Sequence, residues 1–306
     1  MTAYTLTTEL CDEGLRLDRF LSEELEDHSR SFLQKLIKEG LVTVDGKPVK
    51  ANYRLSAGQQ VSVQVREPEE VNIEPQEMPL DILYEDGDVC IVNKPKGMVV
   101  HPAAGHYRDT LVNGIMYHCQ DSLSGINGSL RPGLVHRIDK DTTGALIICK
   151  NDKAHSCIAE QLKEHSITRR YRAIIIGNLS EDEGTVDAPI GRHPTQRKKM
   201  AVNRNNGKRA VTHYRVLARF RGYTYIECRL ETGRTHQIRV HMASIGHPLL
   251  GDTVYGPAKQ AYPSLEGQTL HAMVIGFVHP TTGAYMEFEA PLPAYFAELL
   301  QKLPKI

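Results

Sequence analysis

The sequence predicts an α+β protein of two units, and three observations support this fold class. The chain has 306 residues, more than one domain usually contains. Residues 67–79 hold three prolines and five glutamates with little apolar content, which is typical of an extended acidic linker. Beyond it, many short strands and few helices follow without a regular βαβ rhythm. We therefore expect a small unit at 1–66 and a larger one at 80–306, built on a mixed, largely antiparallel sheet with flanking helices.

The first unit is predicted to contain two helices followed by short strands. Leucines and Phe20 fall at helical spacing in the first helix, and Ser29 is a typical N-cap for the second, which ends near Gly40. Asp45-Gly46 is a hairpin turn signal. The predicted helices lie at about 15–25 and 30–38, and the strands at 41–44, 48–49 and 60–65.

The second unit is predicted to be rich in strands. The acidic turn at 85–87 joins two apolar runs into a hairpin. A helix at about 153–165 has Ala154, Ile158 and Leu162 on one face. The predicted strands lie at 82–84, 89–92, 146–149, 171–176, 210–217, 223–230, 273–278 and 285–290.

Composition narrows the class of protein. The longest apolar runs are too short to span a bilayer, and the N-terminus carries no basic residue, so we expect a cytoplasmic protein. The six cysteines include no CxxC pair, which argues against a zinc ribbon or a thioredoxin-like centre. With 37 basic and 37 acidic residues the net charge is zero, so a nucleic-acid partner requires a localised basic face.

The densest group of reactive residue types is the polar loop at 136–144, HRIDKDTTG. A carboxylate beside a cation stays ionised and can act as nucleophile or base, and Asp139 lies between Arg137 and Lys140. The chemistry of the loop alone leaves a second interpretation equally open, in which Asp139 or Asp141 caps a backbone turn.

HRIDKDTTG resembles the signature loop of the RluA/RluD family of pseudouridine synthases. Four further segments resemble that family's motifs in the same order, and the similarity extends over about residues 80–300. Ile138 stands where the family usually has leucine, and Arg169 where it often has lysine. The four segments are IVNKPKGMVVHP at 91–102, RRYRA at 169–173, GRTHQIRVH at 233–241 and HPLLGDTVYG at 247–256.

The resemblance implies roles for individual residues. Asp139 would be the catalytic carboxylate, Arg239 would pair with it, and Tyr171 would stack on a flipped base and assist proton removal. Arg137 would fill the space that the uridine leaves. Further contacts to the RNA are expected from His136, Lys94 and Ile238. The alternatives are a strand-edge salt bridge for Arg239, a core position for Tyr171 and a simple phosphate contact for Arg137. For the segment of Lys94 and Gly97, a simple turn is an equally good interpretation.

The first unit is similar to an S4-type RNA-binding domain, and the pairing of the two units resembles the RluD-type branch that modifies large-subunit ribosomal RNA. Arg30 and Lys35 are expected on its basic face. Residues 192–209 hold seven Lys or Arg and no acid, which favours an RNA clamp over a solvated loop. Its central cations are Arg197, Lys198 and Lys199.

The resemblance therefore implies an RNA pseudouridine synthase that needs neither metal nor organic cofactor. Its partner would be structured RNA, either large-subunit ribosomal RNA or an assembling ribosomal particle, with transfer RNA as the alternative. We expect a monomer. A non-catalytic RNA-binding protein and a hydrolase using Asp139 with a histidine are rival functions; the second lacks a nucleophile elbow or metal triad in the sequence.

Overall fold

The computed structural model describes residues 2–25, 28–65, 73–102, 107–120, 122–126, 128, 131–196, 199–259 and 261–306. The chain divides into two compact units, Met1–Val71 and Asn72–Ile306. Residues 67–72 of the predicted linker lie outside the described residues. Residues 73–79 form neither helix nor strand.

The described part of the predicted linker packs on the second unit instead of spanning free solvent. Ile73 is buried, and the Gln76 amide donates to the Asn113 carbonyl over 2.9 Å. A Cβ atom at Gly114 would lie 2.5 Å from the sulfur of Met78, so the absence of a side chain there lets this segment approach closely. The prolines keep the segment extended, and its few apolar side chains pack against the helix that contains Gly114.

Six helices and fifteen strands are present in the described residues. Among them, no helix combines the length and apolarity needed to cross a membrane. The helices are α1 (Leu17–Glu24), α2 (Arg30–Lys38), α3 (Leu111–Cys119), α4 (Asp152–Lys163), α5 (Gln237–Ser244) and α6 (Ala294–Lys302). The strands are β1 (Thr2–Thr7), β2 (Val42–Val44), β3 (Lys47–Pro48), β4 (Gln60–Val65), β5 (Ile82–Glu85), β6 (Val89–Lys94), β7 (Thr143–Cys149), β8 (Thr168–Ile176), β9 (Glu183–Asp187), β10 (Ile190–Arg192), β11 (Met200–Val202), β12 (Val211–Phe220), β13 (Tyr223–Leu230), β14 (Leu270–Val278) and β15 (Tyr285–Glu289).

The first unit packs α1 and α2 on one face of an antiparallel sheet of strand order β1-β4-β2-β3. Ser29 caps α2 by accepting a hydrogen bond from the Phe32 amide. Asp45 and Gly46 both have positive φ angles, as the predicted two-residue hairpin turn requires. Buried leucines of the helices and valines of the sheet form its core.

The second unit is built on a nine-stranded sheet of order β5-β6-β7-β14-β8-β13-β12-β9, in which β15 also pairs with β14. Only the β7–β14 pair is parallel. The prediction of an α+β protein with a mixed, largely antiparallel sheet is confirmed. Every residue of β7 is buried, as expected for a central strand covered on both faces.

The predicted helix at 153–165 is confirmed as α4, but α3, α5, α6 and several short strands were not predicted. Asn113 and Gly114 interrupt the apolar pattern of α3. Six of the eight residues of α5 are buried, so it has no polar face that would reveal a helical period. This matters for the site, because Arg239 lies on a buried helix and not at a strand edge.

The start of β7 is held in place by a close approach between strands. Gly144 has φ +110°, and a Cβ atom there would lie 2.2 Å from the carbonyl oxygen of Ala272 in β14. Only glycine both adopts this φ angle readily and leaves room for the Ala272 carbonyl oxygen. Gly144 is the second residue of β7, which directly follows the 136–142 loop. This contact therefore fixes the position at which that loop joins the sheet.

Candidate active site

The 136–142 loop borders a cavity of about 530 Å³ in the second unit. Its walls come from this loop, from α4 and β8, and from the segment that leads into α5. A volume of this size is ordinary for a small-molecule or nucleotide-sized site. The lining residues are Val135, His136, Arg137, Ile138, Asp139, Thr142, Leu162, Lys163, His165, Arg169, Tyr171, Leu230, Gly233, Arg234, His236, Gln237, Ile238, Arg239 and Leu270.

Asp139 and Arg239 meet at the wall of this cavity. Arg239 Nη1 donates to Asp139 Oδ2 over 2.8 Å, although the residues are 100 positions apart in the chain. The other edge of the guanidinium faces Asp252, with Nε–Oδ2 and Nη2–Oδ1 distances of 2.7 and 3.0 Å. Arg239 is thus a buried cation between two carboxylates, only one of which, Asp139, faces the cavity.

The charges of this cluster support one another. Burial works against the charge on Arg239, but the hydrogen bonds and charges of Asp252 and Asp139 raise its pKa above the ordinary value. Burial also opposes ionisation of Asp252; Arg239 and two backbone amides nevertheless hold the pKa of that carboxyl below its usual range. The guanidinium is permanently charged, and a carboxylate paired with it favours the ionised form.

Tyr171 and Arg169 reach the cavity from alternate positions of β8. Burial raises the pKa of Tyr171, so its hydroxyl is neutral. Arg169 donates from Nη2 to the Glu231 carbonyl over 3.0 Å, and burial lowers its pKa. A Cβ atom at Gly233 would lie 2.6 Å from Nη1 of Arg169, so glycine makes room for this guanidinium.

The structure brings five of the predicted site residues to Asp139's cavity. Tyr171, Arg239, Arg137, His136 and Ile238 all line it. Arg137 is exposed, and its Nη1 donates to His101 over 3.2 Å. Burial and the charge of Arg137 lower the pKa of His101 to about 4, so this histidine accepts as a neutral ring.

The histidines of these segments are engaged by the fold. His136 Nε2 accepts from the Ile147 amide over 3.0 Å, and burial, with Arg169, lowers its pKa to about 3. His241 contacts Thr212 and the Ala188 carbonyl, each at 2.9 Å. His136 can therefore touch a ligand through its ring edge, while its Nε2 lone pair is already used.

Lys94 does not reach the cavity, so the expected direct RNA contact is wrong. The side chain has no exposed surface, and its ammonium donates to the carbonyls of Pro95, Met98 and Lys140 at 2.7, 2.9 and 2.9 Å. The Gly97 amide also donates to the Lys140 carbonyl over 3.0 Å. Lys94 thus clamps the 94–98 loop to the loop that carries Asp139.

Arg30, Lys35 and Lys199 are not among the residues that line the cavity. Arg30 and Lys35 are exposed on α2 of the first unit, where Arg30 pairs with Asp18 over 2.9 Å and Lys35 lies 3.8 Å from Glu39. Lys199 is half-buried in the turn between β10 and β11. Arg197 and Lys198 lie outside the described residues.

One group in the described residues has the composition of a metal site. Glu85, His118 and Cys119 bring their ligand atoms within 4.8 Å of one another. Glu85 is already paired with Lys150 and His118, both at 2.7 Å. Burial raises the pKa of Cys119 to about 11, which keeps the thiol protonated. These contacts form an ion-pair cluster and leave no pre-formed set of ligands.

Sequence reasoning did not assign Asp252, Tyr255 or His236 to the site. Asp252 and Tyr255 are part of HPLLGDTVYG, which was matched to a family pattern without a role. In the sequence the available signal was an acid 13 residues after Arg239, in a Gly-Asp turn, and it does not reveal the contact between the two side chains. His236 lies in the GRTHQIRVH segment, where the resemblance implied roles for Arg239 and Ile238.

Comparisons with known proteins match both units. A family model described as RNA pseudouridylate synthase matches residues 88–244, and one described as S4 domain matches residues 15–61. The chain is 56% identical to an uncharacterized RNA pseudouridine synthase of Bacillus subtilis, covering 100% of this chain and 99% of that protein. It is 49% identical to ribosomal large subunit pseudouridine synthase D of Zymomonas mobilis, covering 94% and 93%.

Solved structures agree on the fold. Human RNA pseudouridylate synthase domain containing 1 aligns with a TM-score of 0.57 at 24% identity, covering 79% of this chain and 100% of that one. Human RNA pseudouridylate synthase domain containing 4 aligns with a TM-score of 0.56, also at 24% identity, covering 74% and 95%.

Lys94 predicts a specific dependence of stability on pH. Burial lowers its pKa to about 7 from the ordinary 10.5, so between these pH values the folded chain binds fewer protons than the unfolded chain. The free energy of unfolding must then rise with pH across this window, by up to about 1.4 kcal/mol per pH unit from this residue. Urea denaturation at pH 7, 8 and 9 should show wild type gaining stability over Lys94→Met as the pH rises.

Lys163→Met is the matched control, because Lys163 is exposed and its pKa is raised by Glu160. Its stability difference from wild type should stay constant over the same pH range. Parallel curves for wild type and Lys94→Met would contradict the titration assigned to Lys94.

Proposed function

The chain belongs to the RNA pseudouridylate synthase family, and we propose that it isomerises specific uridines of large-subunit ribosomal RNA with Asp139 as the essential carboxylate. The observation that carries the proposal is the pairing of Asp139 with Arg239 at the wall of a nucleotide-sized cavity. A second carboxylate, Asp252, accepts hydrogen bonds from the other edge of the same guanidinium.

The chemistry needs an ionised carboxylate beside the ribose. Pseudouridine formation breaks the bond between the ribose C1′ and the uracil N1, turns the base and joins C1′ to C5; C5 loses a proton and N1 gains one. Departure of uracil leaves the ribose electron-deficient, and a nearby negative charge stabilises that state. Each of three paths, attack on the sugar, attack on the base or removal of a ribose proton, uses a carboxylate oxygen of Asp139, and Arg239 Nη1 holds that carboxylate at the cavity wall.

The cavity walls suit a base that has left its stack. Tyr171 offers an aromatic ring and a neutral hydroxyl, and Ile238 offers an apolar surface at the same cavity. Enzymes that modify a base commonly extrude it into a pocket of this kind. Arg137 is exposed at the rim and carries a guanidinium that can fill the space left in the RNA. No group other than side chains of this chain is required for these roles.

The substrate class is supported by two independent features. The relative from Zymomonas mobilis that is 49% identical over nearly the whole chain is named for the large ribosomal subunit. The first unit matches the S4 domain and carries Arg30 and Lys35 on an exposed helix face. Transfer RNA is the alternative substrate. We further propose that the enzyme acts in the cytoplasm as a monomer.

The Asp139→Asn variant tests the proposed chemistry. It keeps the size of the side chain but removes the negative charge, so pseudouridine formation should fall by about 10³-fold or more while RNA affinity changes little. Nucleoside analysis of large-subunit ribosomal RNA transcribed in vitro measures the product, and filter binding measures affinity. Asp182→Asn removes an exposed acid that pairs only with Arg219 and should behave as wild type.

Full activity of Asp139→Asn would disprove the catalytic role of this carboxylate. Product on transfer RNA transcripts, with none on the ribosomal transcript, would instead contradict the proposed substrate and leave the chemistry intact.

The double variant Arg30→Gln/Lys35→Gln tests the role of the first unit. Each cation that contacts a phosphate releases counterions, so its loss should weaken RNA binding and reduce the slope of log affinity against log salt by roughly 1.5 to 2 in total. The rate at saturating RNA should not change. Arg215→Gln/Lys302→Gln removes one exposed, ion-paired arginine and one exposed, ion-paired lysine of the second unit, neither of which lines the cavity, and is the matched control. An unchanged salt slope in the Arg30/Lys35 variant would refute the assignment.

A further inference from the structure

The two oxygens of Asp139 face two different side chains. Oδ2 accepts from Arg239 Nη1 over 2.8 Å, and Oδ1 lies 3.8 Å from Nε2 of His236. His236 directly precedes α5, and Arg239 lies in its first turn. Both side chains are held from outside this helix by the same short turn, residues 251–256.

Asp252 fixes the orientation of Arg239. Its carboxylate accepts two hydrogen bonds from one edge of the guanidinium, at 2.7 and 3.0 Å, in the two-pronged geometry that arginine favours. The amides of Val254 and Tyr255 donate to Asp252 Oδ1 over 2.9 and 3.0 Å, so the carboxylate cannot rotate freely. With its side chain fully buried, Asp252 directs Nη1 of the guanidinium at Asp139.

Tyr255 fixes the tautomer of His236. The Tyr255 oxygen accepts from the Met200 amide over 2.9 Å. Among the described residues, Nδ1 of His236, 2.8 Å away, is the one acceptor within hydrogen-bond distance of the Tyr255 hydroxyl, so the hydroxyl proton is satisfied when it is donated there. Burial lowers the pKa of His236, which keeps the ring neutral. A neutral ring that accepts at Nδ1 carries its proton at Nε2, the atom that faces Asp139. The hydrogen-bond network thus assigns an N–H to each oxygen of Asp139.

The backbone supports this arrangement. His236 has φ +57° and ψ +23°, a left-handed conformation that costs free energy and persists where its surroundings enforce it. A Cβ atom at Gly251 would lie 2.4 Å from the Gly267 carbonyl oxygen, and one at Gly267 would lie 2.6 Å from Cβ of Asp141. The 251–256 turn is therefore packed on a segment that itself packs on the loop of Asp139.

We infer that the 251–256 turn is the positioning element of the catalytic carboxylate: Asp252 holds Arg239, and Tyr255 sets the tautomer of His236. Neither Asp252 nor Tyr255 is among the described residues that line the cavity, so both act through the side chains they hold. The inference rests on the proposed role of Asp139.

Asp252→Asn and Tyr255→Phe test the inference with almost no change in side-chain volume. A catalytic group displaced by about 1 Å can cost about 100-fold in rate, so kcat should fall about 100-fold in Asp252→Asn. In Tyr255→Phe, which loses the hydrogen bonds to His236 and to the Met200 amide but keeps the Asp252–Arg239 contact, kcat should fall about 10-fold. KM for RNA should stay within about twofold in both variants, because no contact to the substrate is removed.

Asp86→Asn and Tyr84→Phe are matched controls in the β5–β6 hairpin. Asp86 Oδ1 also accepts from two backbone amides, at 2.8 and 2.9 Å, and Tyr84 donates to Asp86 over 2.8 Å. Removing these groups weakens comparable hydrogen bonds away from the cavity, so kcat should not change. An equal fall of kcat in the control pair would reduce the role of the turn to general stability and overturn the inference.

A double-mutant cycle separates positioning from an independent effect. Lysine cannot donate the two-pronged pair of hydrogen bonds to Asp252, so in an Arg239→Lys background Asp252→Asn should lower kcat by less than about threefold further. A multiplicative loss, with the full Asp252 effect on top of the Arg239 effect, would show that Asp252 does not act through Arg239.

Nitrogen-15 NMR of the imidazole rings gives a readout that needs no RNA substrate. In wild type, Nε2 of His236 should carry the proton, and Tyr255→Phe should mix the two tautomers. Protonation at Nδ1 in wild type would overturn the assignment for Tyr255. The two proposals fail separately: activity of Asp139→Asn refutes the proposed function, whereas an inactive Asp139→Asn with fully active Asp252→Asn and Tyr255→Phe refutes only this inference.

Discussion

The site depends on one buried cation. Arg239 is only about 6% exposed, and a lone guanidinium in that environment would be very costly. Asp252, which is fully buried, offsets part of that cost, and Asp139 supplies the second negative charge at the cavity wall. Removing either acid would leave the buried charge of Arg239 incompletely paired. The attraction to Arg239 therefore stabilises the position of Asp139 at the cavity wall. The interaction that stabilises the core of the site also orients the carboxylate of Asp139.

The remaining architecture brings distant segments to this cation. Asp139 is in the loop before β7, Arg239 is on α5, and Asp252 is in a turn after that helix. Close backbone approaches at Gly144 and Gly251 set the ends of these segments. Lys94 links the 94–98 loop to the 136–142 loop through hydrogen bonds to three carbonyl acceptors. The cavity is thus rigid at its base, and the exposed side chain of Arg137 lies at its rim.

The sequence was sufficient for the fold class and for the central pair of residues. Period-two patterns predicted most long strands of the second unit, and the HRID and GRTHQIR segments identified Asp139 and Arg239 through a family resemblance. The sequence could not reveal that Lys94 is buried. A lysine near Pro and Gly in a loop has the same sequence pattern whether its ammonium faces solvent or backbone carbonyls. The sequence also could not place α5, whose sides are nearly all buried, or join Asp252 and Tyr255 to the site, since their roles depend on contacts with residues on other elements.

A crystal structure of the Asp139→Asn variant bound to a large-subunit ribosomal RNA stem-loop would test the central claim most directly. We predict that a uridine leaves its stack and enters the cavity. Its base should lie against Tyr171, and its ribose C1′ should lie about 3.5 Å from the side chain of residue 139. A uridine that stays stacked in the RNA, or a ribose bound far from residue 139, would contradict the assignment of this carboxylate as the reacting group.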